Sequence, residues 1–271
     1  MKHILARIEA FAIIPVETFE NKSIILLISS NIRRKKVNTR VNTIIELLQD
    51  REKFIKEIAD DFDIESKLMD LFAISLAGFA AYGFIMGLSN SFIQGLSSMV
   101  KLPLLYIATT LICFPTFFIF YSLFGSKTTF MKSLTYLMTA VCVMSIILLA
   151  FAPVTLFFLL TSKNYVFYKL LNVLFFSVSG IVGISFFYKI IVSVDLKGSE
   201  SMASTIASMP TVKTRNKILF FWMVLYSFVG TQLAWTLRPF VGAPNMPFQL
   251  LRKLGGNFYV DVFSSFLKLF S

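Results

Sequence analysis

Leu71-Phe72-Ala73-Ile74-Ser75-Leu76-Ala77-Gly78-Phe79-Ala80-Ala81-Tyr82-Gly83-Phe84-Ile85-Met86-Gly87-Leu88-Ser89-Asn90 carries no charge over twenty residues. It follows Asp70, and the next acidic residue is Asp195. A charge is expensive in hydrocarbon, so chains that cross bilayers shed charges over windows of about 20 residues. Four more apolar runs follow, at 102–126, 133–162, 170–188 and 218–237. They are continuously apolar and do not alternate, which predicts helices and not a barrel. The expected fold is an all-α, polytopic transmembrane helical bundle. Its about five spans fall near 71–90, 102–125, 134–161, 166–190 and 218–237. Residues 1–66 read as a small cytoplasmic or interfacial helical region, 67–239 as the bundle, and 240–271 as an interfacial or re-entrant tail.

Composition agrees. The chain is 56% hydrophobic over 271 residues, with a mean hydropathy of +0.74 and 31 phenylalanines. One soluble core of this size could not enclose that much apolar surface. The net charge of +11 is unevenly placed, because residues 1–70 hold as many carboxylates as cations and all the excess lies beyond them. Two readings are open. The cations mark cytoplasmic loops and grip anionic headgroups, or they give a pathway an anion-leaning field.

In the N-terminal region Ile4, Leu5, Ile8, Phe11 and Ala12 fall on one helical face, while Ile24–Ile28 is too short to cross. Residues 43–66 predict an amphipathic helix opened by a capping box, Thr43 with Glu46. Ile44, Leu47, Leu48, Ile55, Ile58 and Phe62 form its apolar face, which would dock a cytoplasmic protein partner. Arg33, Arg34, Lys35 and Lys36, together with Lys213, Arg215 and Lys217, are candidate headgroup contacts. They place the N-terminus and a long loop at 190–217 on the cytoplasmic side of a cell inner membrane. The connections near 91–101 and 162–165 would then face outward. No aromatic platform accompanies the basic cluster, so nucleic acid is not an expected partner.

Polar residues at membrane depth carry the functional reading. Ser227, Thr231, Trp235 and Arg238 recur at i, i+4, i+8 and i+11, with Gln232 beside them, so a helix would set them on one face. They are candidate pore-lining groups, as is Asn172. The alternative is structural: Gln232 and Asn172 knit helices, Trp235 joins the interfacial belt and Arg238 snorkels. Gly83 and Gly87 form a GxxxG pair that permits close helix approach, and Gly180 and Gly183 repeat the theme.

The segment Gly230-Thr231-Gln232-Leu233-Ala234-Trp235-Thr236-Leu237-Arg238-Pro239-Phe240-Val241-Gly242, with Ala152-Pro153 and Leu170-Leu171-Asn172-Val173, resembles a set of uncharacterised polytopic bacterial membrane proteins. The likeness covers the second half of the chain. It implies a membrane protein and no particular activity.

Absences narrow the field. His3 is the one histidine, and Cys113 and Cys142 both sit in apolar runs. Neither a His/Cys metal site, a catalytic triad nor a disulfide framework is expected within one subunit. No carboxylate lies in a membrane run, as ion-driven carriers usually need, and no Walker A motif occurs. The expectation is a non-enzymatic protein with no cofactor: a homo-oligomeric passive channel or permease-like pore in the lipid bilayer. The alternative is a non-catalytic subunit anchoring a cytoplasmic partner.

Overall fold

The computed structural model describes residues 40–60, 62–123, 126, 128–162, 164–200, 209–242, 249–251 and 256–270. The segment 4–12, the run 24–28 and the basic cluster Arg33–Lys36 lie outside the described residues. The chain divides into two compact units, Met1–Arg51 and Glu52–Ser271. In the first unit the described element is a helix, α1, at 40–49. The packing described below is that of the second unit.

Every described secondary-structure element is a helix. After α1 come α2 (Arg51–Ala59), α3 (Ile64–Gly87), α4 (Phe92–Leu123), α5 (Phe130–Thr161), α6 (Tyr165–Glu200), α7 (Met209–Leu237) and α8 (Phe258–Phe270). The five from α3 to α7 are long and apolar enough to cross a membrane. The chain is therefore an all-helical, multi-pass integral membrane protein whose outer surface meets lipid. That surface is correspondingly apolar: Leu111 is 73% exposed and Phe221 68%. In water such a surface would be a severe liability; in hydrocarbon it is neutral.

Three expectations need correction. Residues 43–66 are not one helix: the chain breaks at Asp50, and again between Asp60 and Asp63. Thr43 lies inside α1 and not at its start. Asp63, with φ of +50°, takes a left-handed conformation that ends the periodic pattern and re-aims the chain into α3. The long loop at 190–217 is mostly helix, since α6 continues to Glu200 and α7 begins at Met209. Residues 92–101 are the first turns of α4 and not a connection, so Lys101 sits inside a spanning helix.

The helix ends are capped locally. Ser91 Oγ accepts from the Gln94 amide (3.1 Å) at the start of α4. Asn164 Oδ1 accepts from the amides of Val166 (3.0 Å) and Phe167 (3.2 Å) at the start of α6. Within the spans, hydroxyls turn back on their own helix. Ser75, Thr109 and Thr139 each donate to the carbonyl four residues earlier, which satisfies them without water.

Contacts fix the order and direction of the spans. Phe79 stacks on Tyr106, and Gly83 and Gly87 meet Ser98 and Gln94, so α3 and α4 run antiparallel. A Cβ at Gly87 would lie 2.6 Å from the Gln94 carbonyl, and one at Gly83 would overlap the Ser98 carbonyl. The GxxxG pair thus serves a crossing within this chain. Gly78 meets Ser145 of α5, and Gly183 of α6 meets Met144 of α5. Trp222 and Tyr226 of α7 reach Cys113 and Thr110 of α4. The spans close into a ring in the order α4, α3, α5, α6, α7. We call the end holding Gly87, Phe92, Thr161, Tyr165 and Leu237 the distal end, and the opposite end proximal.

Candidate binding chamber

At the proximal half of the ring, aromatic side chains join α4, α6 and α7. Phe117 packs on Trp222 (ring centroids 4.8 Å apart) and on Phe187 (5.3 Å), and Phe187 packs on Trp222 (5.5 Å). Trp222 Nε1 donates to the Cys113 carbonyl (3.0 Å), so the indole is buried with its donor used. Both cysteines are free and buried.

At the distal half the same helices part. Between them lies a chamber of about 640 Å³, in the size class that encloses one small organic molecule. Its inner wall is Leu102, Leu105, Tyr106 and Met144. Small residues create the space. Gly180 has no atom within 4 Å of an added Cβ, and Gly230 has only Thr109, at 3.7 Å or more. Ile181 lines the chamber while 66% exposed, so this wall also faces outward.

The structure brings together most of the polar face read from the sequence. Ser227, Thr231, Trp235 and Arg238 all line the chamber, together with Asn172. Gln232 is not part of that lining; its carbonyl accepts from Thr236 Oγ1 (2.9 Å). Lys213 and Arg215 fall in the first turns of α7, and Lys217 is exposed nearby.

Asn172 serves two purposes. It is 2% exposed, its Oδ1 accepts from Tyr82 Oη (2.8 Å), and its Nδ2 donates to the Tyr168 carbonyl (2.8 Å). Tyr82 in turn accepts from Thr155 Oγ1 (3.2 Å). This chain ties α3, α5 and α6 and leaves each member satisfied. Asn172 is therefore a packing group whose flank forms chamber wall.

Charge gathers at the distal end. The Arg238 guanidinium lies over the Trp235 ring, 3.4 Å from its centroid. Lys169 forms an ion pair with Asp261 of α8 and donates to Ser265 Oγ (3.0 Å). Thr231 Oγ1 meets Tyr259 Oη at 3.0 Å. Through these contacts α8 bridges from α6 to α7, and its Phe258, Asp261 and Val262 form one chamber wall. At about 1.5 Å per residue its 13 residues are too short to span. Tyr259, Val260, Phe263, Phe266 and Leu267 make an exposed apolar face on it.

One group of functional weight escapes the sequence reading. Gln94, Ser98 and Lys101 recur on one face of α4 and are all buried. Gln94 Nε2 donates to the carbonyl of Pro239 (2.8 Å), and Ser98 Oγ to that of Phe240 (2.6 Å). Lys101 Nζ donates to Pro239 O (3.1 Å) and to Leu250 O. The carbonyls of Pro239, Phe240 and Leu250 lie beyond the end of α7, outside any helical ladder, and α4 supplies their donors. Pro239 and Phe240 line the chamber, so this clamp builds its distal edge. The i, i+4, i+7 spacing of the three residues was the available signal.

No family model matches this chain, and neither a curated protein nor a solved structure matches it.

Proposed function

We propose that the chamber between α6 and α7 binds one apolar-chained molecule taken from the bilayer, as the binding step of a permease-like protein. The carrying observation is the chamber itself: about 640 Å³, apolar inside, edged by polar groups, with an outward-facing wall at Ile181. A continuously open passive pore has less support, because the Phe117, Phe187 and Trp222 cluster packs the same seam at its proximal half. A cell inner membrane location with a cytoplasmic N-terminus belongs to the same proposal.

Photolabelling in vesicles tests it. A single-chain probe bearing a diazirine should label residues 173–184 and 226–235 in preference to other lipid-facing segments. Gly180→Phe, which fills the chamber, should abolish that preference. Labelling spread evenly over all five spans would refute the reading. The alternative reading, a subunit anchoring a cytoplasmic partner through residues 43–66, predicts a stoichiometric polypeptide crosslinked to that segment and no preferred labelling of the chamber.

A further inference from the structure

The chamber's chemistry is graded from one end to the other. Inward, Leu102, Leu105, Met144 and Ile184 offer hydrocarbon. At the distal edge stand Lys169, Arg238 and Asp261, with Lys101 one layer behind, on the Pro239 carbonyl. Among the described residues two cations, Lys169 and Arg238, line this edge with one carboxylate, and Asp261 is the only acidic residue of the sequence after Glu200. A low-dielectric wall strengthens such a field. An occupant that answers all of these features has one hydrocarbon chain and an anionic, oxygen-rich head.

Resting on the binding function proposed above, we infer that the chamber takes a single-chain anionic amphiphile, its head at Arg238 and Lys169 and its chain toward Met144. Arg238 supplies charge and planar donors to the head. Lys169 is shared between the head and Asp261, so Asp261 acts as a competing anion that weakens binding.

A matched pair of ligands tests the inference. Oleyl phosphate and oleyl alcohol share a chain and differ in the head. Binding to the full chain in a neutral detergent is read from thermal unfolding, reported by a thiol-reactive dye at the buried Cys113 and Cys142. Oleyl phosphate should reach half-saturation at a concentration at least tenfold below oleyl alcohol, and inorganic phosphate alone should give no shift. Arg238→Gln should shrink the tenfold gap to about twofold and leave the alcohol unchanged. Asp261→Asn should widen the gap, which protects the test if the arginine variant does not fold.

Equal binding of phosphate and alcohol overturns the anionic head while sparing the chamber. A shift with inorganic phosphate of the same size as with oleyl phosphate overturns the amphiphile and leaves a plain anion site. No binding by either chain, and no effect of Gly180→Phe, removes the binding function together with this inference.

Discussion

Along the seam between α6 and α7 the two ends follow opposite rules. Proximally, Phe187 meets Trp222 with ring centroids 5.5 Å apart, and Phe117 of α4 closes the third side. Distally, Gly180, Gly230 and Ala234 replace the rings, and the helices enclose a chamber. In a membrane, water does not drive helices together, so a seam closes only where side chains fit and stays open where they are small. Glycine is not equivalent along α6. Gly183 is in contact with Met144 and permits a crossing, whereas Gly180, less than a turn away, leaves space.

The sharpest way to break this contrast is to remove the proximal ring. Trp222→Ala should destabilise the fold by about 3–5 kcal/mol, read as a lower thermal midpoint in detergent. An unchanged midpoint would mean that the seam is held elsewhere. Next, the two glycines should separate. Gly183→Leu should cost about 1–3 kcal/mol through overlap with Met144. Gly180→Leu should stay within about 0.5 kcal/mol of the parent protein and still block the photolabel. Equal melting of the two variants would erase the distinction. Lys101→Met should cost about 1–3 kcal/mol, since it strips the Leu250 carbonyl of its donor, while Gln94 still serves Pro239. Faster proteolysis after α7 would accompany it. Smallest is Tyr82→Phe, which removes one donor from the Asn172 network. Its effect should be about 0.6 kcal/mol, the scale of hydrogen bonds between membrane helices. A loss several times larger would mean that the network, and not the rings, organises the bundle.

The spans were legible because desolvation of charge is a strong, local rule: a window without Asp, Glu, Lys or Arg needs no knowledge of its neighbours. The face carrying Ser227, Thr231, Trp235 and Arg238 was legible for a similar reason, since helical spacing alone groups them. The partners were not. Nothing in residues 92–101 says that Lys101 will meet carbonyls beyond α7, because that pairing depends on which helices become neighbours. Lys101 looked like a boundary marker under the usual rule that cations sit at helix ends. The overlong loop at 190–217 has a related origin: Ser, Thr, Gly and Pro there are local breaker signals, yet α6 runs on to Glu200 and α7 starts at Met209. Gly180 and Gly183 share one local signature, and only the structure separates a contact from a gap.

The clamp on α4 has a consequence for biosynthesis. Lys101 enters the bilayer early, but its acceptors at Pro239 and Leu250 follow 138 and 149 residues later. At ordinary ribosomal rates that interval is on the order of ten seconds. Until the acceptors arrive, a nascent ammonium must be sheltered by the insertion machinery, by headgroups or by water. The half-made chain is thus a natural client for membrane chaperones, and translational pausing before residue 239 would lengthen its exposure to quality-control proteases.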